Sequence, residues 1–254
     1  MCSLCALVPK SGLVRAIVLA VIILLIIAIT FSLVQYTRDA IRDKFNKGRI
    51  EDVVPVASSF DGSRYKVHTD FADSKEAADL LAQLNDQLSE VIGWLRHRYI
   101  GAPGSPPTAP AHLRTPERLS AVKNMLARYN PDNLAENSPL DETGDSSYCL
   151  DKGAVIAICM RTRETKPRNG IPAMPVGQLH DLNTLIFVTL HEIAHTAIED
   201  IDHPPKFWST FRFILEEAEL SGIYQSPDFA HAPVQYCGIY VDYNPRFDHY
   251  LSSI

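Results

Sequence analysis

Nineteen consecutive residues without a charge, Ala16 to Val34, constrain this chain more than any other feature. Only Thr30 and Ser32 among them are polar, and a helical hydroxyl can bond back to a carbonyl of the preceding turn. As a helix the run is about 28 Å long at roughly 1.5 Å per residue, close to the roughly 30 Å hydrocarbon core of a bilayer. A cleaved signal peptide and a buried core helix are the alternatives. The run is longer than a usual signal core, and no small-residue cleavage site follows it. A core helix is rarely apolar on every side. The expectation is one N-terminal transmembrane helix over residues 16–36, with the lipid bilayer as partner and Gln35 and Tyr36 at the interface. Residues 1–15 are then a short leading segment. Residues 37–64 are a juxtamembrane linker whose charged start continues the helix.

Charge sharpens this reading. The first 35 residues hold Lys10 and Arg15 and no acid, so the rest carries 22 positive against 30 negative charges. An acidic remainder without a basic patch excludes a general nucleic-acid coat, and no nucleic-acid partner is expected. Five basic residues follow the span within fifteen positions, against two before it. That bias predicts a single-pass membrane protein with a cytosolic C-terminal domain. The absence of an N-x-[ST] sequon and the odd count of five Cys point the same way. Cys2 and Cys5 mimic half a zinc knuckle but have no partner pair, and read as ordinary thiols.

Residues 65–254 are long enough for one core, and their patterning predicts an α+β domain. Residues 51–64 read as irregular, with a turn at Asp61-Gly62. Tyr65 to His68 reads as a short strand. Ser74 to Tyr99 reads as a helix with Ser74 as N-cap, since Leu81, Leu84, Leu88, Val91 and Leu95 recur at three- and four-residue steps. Residues 101–117 form a Pro-rich loop that is in a position to block a site if it folds back. A short helix follows from Arg118 to Tyr129, and residues 132–146 read as polar loop. Ser147–Leu150 and Ala154–Met160 read as a hairpin around Asp151-Lys152-Gly153. Asp181 caps a helix running to about Glu199. Pro204-Pro205 opens another that Gly222 ends. The tail beyond it shows little periodicity.

The first of these two late helices contains His191-Glu192-Ile193-Ala194-His195. Two His at i and i+4 share a helical face, so both imidazoles reach one ion. Glu192 is offset by about 100° and reaches a water beside the ion rather than the ion itself. A catalytic zinc needs a third protein ligand. His203 is the first candidate, because seven residues separate it from His195 and a turn stiffened by Pro204 and Pro205 can return it. Glu216 or Glu217 on the next helix is the rival. Glu199 would strain to reach, and Ile198 stands where metzincins need Gly. The expected set is His191, His195 and His203 for one Zn2+ per chain, with Glu192 catalytic.

The stretch HEIAHTAIEDIDHPPKFW resembles the zincin metallopeptidases of the WLM and SprT-like type. SYCLDKG, AICMR, FW…LEEAELSGIY and the late YCG extend the likeness to uncharacterised metallopeptidase-like proteins of large DNA viruses and algae, over about residues 65 to 245. The resemblance implies a zincin-like domain, an active-site helix against a small antiparallel or mixed sheet. It implies peptide-bond hydrolysis of a protein or peptide substrate, His191, His195 and His203 on zinc, and Glu192 as the catalytic residue. Asp202 precedes His203 where such sequences carry Gly. Some relatives cut DNA–protein crosslinks; the acidic charge and the span argue against that substrate here.

Weaker expectations accompany this set. Ala154–Met160 serves either as a substrate-binding edge strand or as a core strand. Tyr236, Tyr240 and His231 are candidate oxyanion donors. Cys159 and Cys237 read as small buried residues, and Glu216, Glu217 and Glu219 as a solvated helix face. The leading expectation is a membrane-anchored zinc metallopeptidase. The alternative is a catalytically silent zinc-binding module tethered to the membrane.

Overall fold

The computed structural model describes residues 14, 16–33, 53–137, 146–168 and 170–254. The readings made on Cys2, Cys5, Gln35, Tyr36 and the charged start of the linker lie outside the described residues. The chain divides into two units, Met1–Glu51 and Asp52–Ile254.

In the first unit, α1 (Ala16–Leu33) is a helix of 18 residues with none of its length buried. Thr30 satisfies its hydroxyl on the carbonyls of Ile26 and Ile27, each at 2.9 Å. The hydroxyl is thereby satisfied by the helix's own backbone.

The second unit is α+β. Its main sheet has five strands, β1 (Val53–Ala57), β2 (Arg64–His68), β3 (Leu134–Glu136), β4 (Tyr148–Leu150) and β5 (Val155–Ile158), in spatial order β1-β2-β3-β5-β4. The outer pairs are antiparallel, while β2, β3 and β5 run parallel. The sheet is therefore mixed, one of the two arrangements expected. Two strands were not expected. β1 lies within the stretch read as irregular linker, and its exposed, Pro-containing pattern suits an edge strand that donates few ladder bonds. β3 lies in the stretch read as polar loop. Its Glu136 is buried because Arg161 meets it at 2.8 Å with neither side chain exposed.

Four helices build the core, two of them packed directly on the sheet. α2 (Ser74–Leu95) buries Leu81, Leu84, Leu88, Val91 and Leu95, then loosens into one π-helical turn, Arg96–Ile100. Ser74 is its first residue rather than its cap; Asp73 precedes it and sends its carboxylate to Arg161 at 2.6 Å. α3 (Pro116–Arg128) starts on a Thr115 side-chain cap. α4 (Leu182–Ala197) starts on Asp181, whose carboxylate accepts from the Thr184 amide at 2.9 Å. α4 contacts α2, α3, β4 and β5, so almost every face of it is buried. α5 (Pro205–Leu220) packs beside it, and Gly222 follows with φ +79°. The β4–β5 turn runs through Asp151, Lys152 and Gly153, all with positive φ. A Cβ on Gly153 would stand 2.7 Å from the Arg128 carbonyl, so only glycine fits there.

The tail read as aperiodic contains a second sheet, the hairpin β6 (Val234–Tyr236) and β7 (Ile239–Val241). Its turn residues Cys237 and Gly238 have φ +46° and +85°, the left-handed pair of a tight hairpin.

Candidate metal centre

Helical pitch puts His191 and His195 one turn apart on α4, with ring centroids 5.2 Å apart. His203 arrives from the α4–α5 connection, and its ring lies 4.9 Å from each of the other two. The Nε2 atoms of His203 and His191 are 2.9 Å apart, and one nitrogen of each ring falls within 4.8 Å of the others. Nitrogens held tetrahedrally at about 2.0–2.1 Å from one ion would stand roughly 3.3 Å apart. The group can hold a metal ion.

Several contacts return His203 to the helix. Asp202 adopts φ +63°, the left-handed conformation that glycine takes most readily and Asp tolerates. The end of α4 is pinned by α3: Asn124 donates to the Ala197 carbonyl at 2.9 Å and Arg128 to the Thr196 carbonyl at 2.8 Å. Arg128 also pairs with Glu199, which removes that carboxylate from the site. Lys152 donates to the Asp200 carbonyl at 2.8 Å. Phe207, at the start of α5, then braces all three imidazoles, at 4.8, 4.4 and 4.6 Å from His191, His195 and His203.

These surroundings set the charge. Burial, then the neighbouring imidazoles, push the His191 pKa down to about 3. Burial, then His203, push His195 down to about 4. Burial lowers His203 as well. At neutral pH all three rings are uncharged, the form that binds a metal.

Glu192 is buried beside them. It lines, with His191 and His203, a cavity of about 340 Å³. Its charge is felt by two neighbours. The Cys149 thiol is pushed up to about 12 by burial and then by Glu192. The Tyr236 phenol is raised by burial, with Glu192 adding to the effect. No residue of the 101–117 loop lines the cavity.

The far wall of the cavity comes from β6 and β7. A disulfide between Cys159 and Cys237, 6.1 Å apart at Cα, ties the hairpin turn to the chain just after β5. Cysteines read as separate small residues thus form one crosslink. His180 accepts from the Cys237 amide at 3.3 Å, and its ring lies 4.8 Å from Tyr236. Ser147 sits 2.6 Å from the Tyr236 hydroxyl and accepts from the Cys159 amide at 3.0 Å. Of the oxyanion candidates, Tyr236 and Tyr240 line the cavity, while His231 stays exposed on Asp228. Tyr240 spends its hydroxyl on the Lys166 carbonyl at 3.0 Å.

The rivals for third ligand point elsewhere. Glu216 pairs with Arg212 at 3.0 Å. Glu217 is buried, not solvated; it takes hydrogen bonds from Trp94 and Tyr99 at 3.0 and 2.7 Å and an ion pair from Arg98 at 2.8 Å. β5 lies between β3 and β4, so Ala154–Met160 contains a core strand and β4 forms that edge.

No family model matches the chain, and no solved structure matches it. It is similar to an uncharacterised protein of Acanthamoeba polyphaga mimivirus, 28% identical over 187 residues that cover 74% of this chain and 81% of the relative. It is also similar to an uncharacterised protein of Invertebrate iridescent virus 6, 30% identical over 115 residues, and to one of Invertebrate iridescent virus 3, 33% identical over 99 residues. These two matches cover 45% and 39% of this chain and 56% and 54% of the respective relatives.

Proposed function

We propose that the chain is a membrane-anchored zinc metallopeptidase with a zincin-like domain, whose ligands are His191, His195 and His203 and whose general base is Glu192. One observation carries the reading: Glu192 and two of the three imidazoles open onto the same cavity. A silent zinc module would need no such access, and that weighs against the alternative.

The donor set suits zinc, which takes three neutral imidazoles and leaves a fourth position free. The chemistry zinc supplies at such a site is acidification of a water and polarisation of a carbonyl. Glu192 takes the proton of the attacking water at its carboxylate and returns it to the leaving nitrogen. Phe207 holds the imidazoles in register, and the disulfide-tied hairpin limits water access from the far side. The Tyr236 hydroxyl, held on Ser147 at 2.6 Å in the cavity wall, is the proposed donor to developing charge on the carbonyl oxygen.

Residues 16–36 act as the anchor in this reading and confine the enzyme to substrates at a membrane surface. A signal peptide is the competing role for α1; the intact N-terminus in the mature chain, read by mass spectrometry, decides between them.

The test is metal content and hydrolysis on the purified full chain. One zinc per chain is expected, lost in His203→Ala. Glu192→Gln is expected to keep the zinc and lose about 10²–10⁴-fold in peptide hydrolysis. Unchanged hydrolysis in Glu192→Gln overturns the mechanism, and a folded wild type without zinc overturns the site.

A further inference from the structure

We infer that the exposed apolar rim around the mouth of the histidine cavity docks on a lipid bilayer. The inference rests on the anchor reading of α1 and does not depend on hydrolysis.

The rim is held together by contacts of the last part of the chain. Ile239 and Tyr243 border the cavity and remain 50% and 39% exposed. Tyr243 meets Trp208 edge-on at 5.3 Å and donates its hydroxyl to the Asp248 carboxylate at 2.9 Å. The other oxygen of that carboxylate accepts from the Tyr250 amide at 2.9 Å. Arg212, one turn after Trp208 on α5, donates to the Pro245 carbonyl at 3.1 Å. These bonds fix the segment from Pro245 to Tyr250 beside the mouth, with Phe247 exposed and Tyr250 fully so. Ile201, 81% exposed, stands on the α4–α5 connection two residues before His203, which borders the same cavity. Single exposed apolar side chains are ordinary, but five around one opening form a surface suited to a partner.

Charge decides which kind of contact this is. Between Ile239 and Tyr250 the chain has one Lys or Arg, Arg246, and it pairs with Glu219 at 2.8 Å. Asp242 pairs with Arg168 at 3.0 Å. Asp248 is occupied by Tyr243 and the Tyr250 amide. The segment therefore offers no basic cluster to anionic headgroups, and apolar burial drives the contact. Tyr and Trp, each an apolar ring with a polar tip, suit the boundary between headgroups and acyl chains.

The length of the chain selects lipid as the occupant. α1 ends at Leu33 and β1 begins at Val53, so nineteen residues separate them and reach at most about 65 Å however they are folded. An anchored chain thus keeps this domain within reach of the bilayer at all times. A second copy would have to be met by diffusion.

The experiment uses the full chain reconstituted in phosphatidylcholine vesicles, with and without brominated acyl chains, which quench tryptophan on contact. Tyr250→Trp and Phe60→Trp are the probes. Both positions are exposed, and Phe60 lies in the turn between β1 and β2, away from the rim. The emission that Tyr250→Trp adds to the parent chain is expected to lose most of its intensity in brominated vesicles, and that of Phe60→Trp none. Adding Phe247→Asp to the Tyr250→Trp chain should weaken the quenching, and adding Ile239→Asp as well should abolish it. Circular dichroism and flotation with the vesicles should stay as in the parent. Quenching should be equal at about 0.1 and 1 M salt, although the Debye length shrinks from about 10 to 3 Å.

Stronger quenching of Phe60→Trp than of Tyr250→Trp means that another face meets the lipid and overturns the inference. Quenching that survives both Asp substitutions makes the tether alone responsible and overturns it too. An unquenched Tyr250→Trp whose emission shifts back on dilution of the protein in lipid assigns the rim to a second copy. Each of these results leaves the anchor standing. A chain that fails to float with the vesicles overturns the anchor reading and the docking together.

Discussion

Two buried polar clusters lie on adjacent helices, and they differ in what they leave open. On α5, Glu217 is closed by its own chain: Trp94, Tyr99 and Arg98 all donate to it, and the guanidinium balances its charge. On α4, His191 and His195 converge with His203 as three neutral rings of one kind, two of which line a cavity. The first cluster is complete and has nothing further to bind. The second gathers lone pairs without a cation of its own. A closed network holds the fold, whereas converging donors at a cavity suit a ligand from outside.

Breaking each cluster separates the two roles. Glu217→Ala leaves Arg98 without its counter-charge in a largely buried position, which costs about 3–5 kcal/mol. Thermal unfolding of the metal-free chain should register that loss, while zinc content in the folded fraction stays at one per chain. Loss of zinc there would make Glu217 a ligand and reverse the assignment. His203→Ala should do the opposite. It should remove zinc and cost metal-free stability less than the Glu217 variant, by no more than about 1 kcal/mol, because His203 is exposed and loses only its ring contacts.

A smaller effect tests the hairpin wall. Burial pushes the His180 pKa down to about 4, with Asp181 opposing it. The unfolded chain takes up this proton near pH 6.5, the folded chain only near pH 4. Stability is therefore full above about pH 6.5 and falls as the pH drops through that window, by about 3 kcal/mol at most. Denaturant titrations from pH 7 to 4 should show the slope, and His180→Gln should flatten its share. Gln can still accept from the Cys237 amide but takes up no proton. A slope unchanged in the variant would mean that His180 is not the group responsible.

The smallest effect concerns the turn into His203. Asp202 holds φ +63°. Asp202→Gly should relieve the left-handed residue and leave stability within about 1 kcal/mol, with zinc affinity intact. Asp202→Val should weaken zinc binding, because a β-branched residue resists that conformation. Equal affinity in both variants would show that the turn does not position His203.

The disulfide bears on orientation. Flanking charge favours a cytosolic domain, whereas a disulfide persists in oxidising compartments. Alkylation of the native chain without reductant distinguishes them: protected Cys159 and Cys237 place the domain on the oxidising side, and modified ones leave the charge bias as the guide.

Much of the site was legible in the sequence because its main parts are local. The H-E-x-x-H spacing, the Asp181 cap and the apolar positions of α4 all repeat within one helix, and helical pitch turns spacing into geometry. The Pro204-Pro205 start of α5 was legible for the same reason. β3 and the hairpin β6–β7 were not, since three-residue strands are too short to show a period. Glu217 was misread because a carboxylate in an acidic run looks solvated until Trp94, Tyr99 and Arg98, more than a hundred residues earlier, close over it.

By itself the sequence determined one apolar helix of bilayer length and a second helix with two imidazoles and a carboxylate at fixed offsets. Only the tertiary structure decided that His203 joins them rather than Glu216 or Glu217, that Cys159 meets Cys237, and that the last hairpin walls the cavity. Offsets along one helix follow from 3.6 residues per turn. Meetings between distant segments follow from packing, where burial and the pairing of charge select among partners that no periodicity announces.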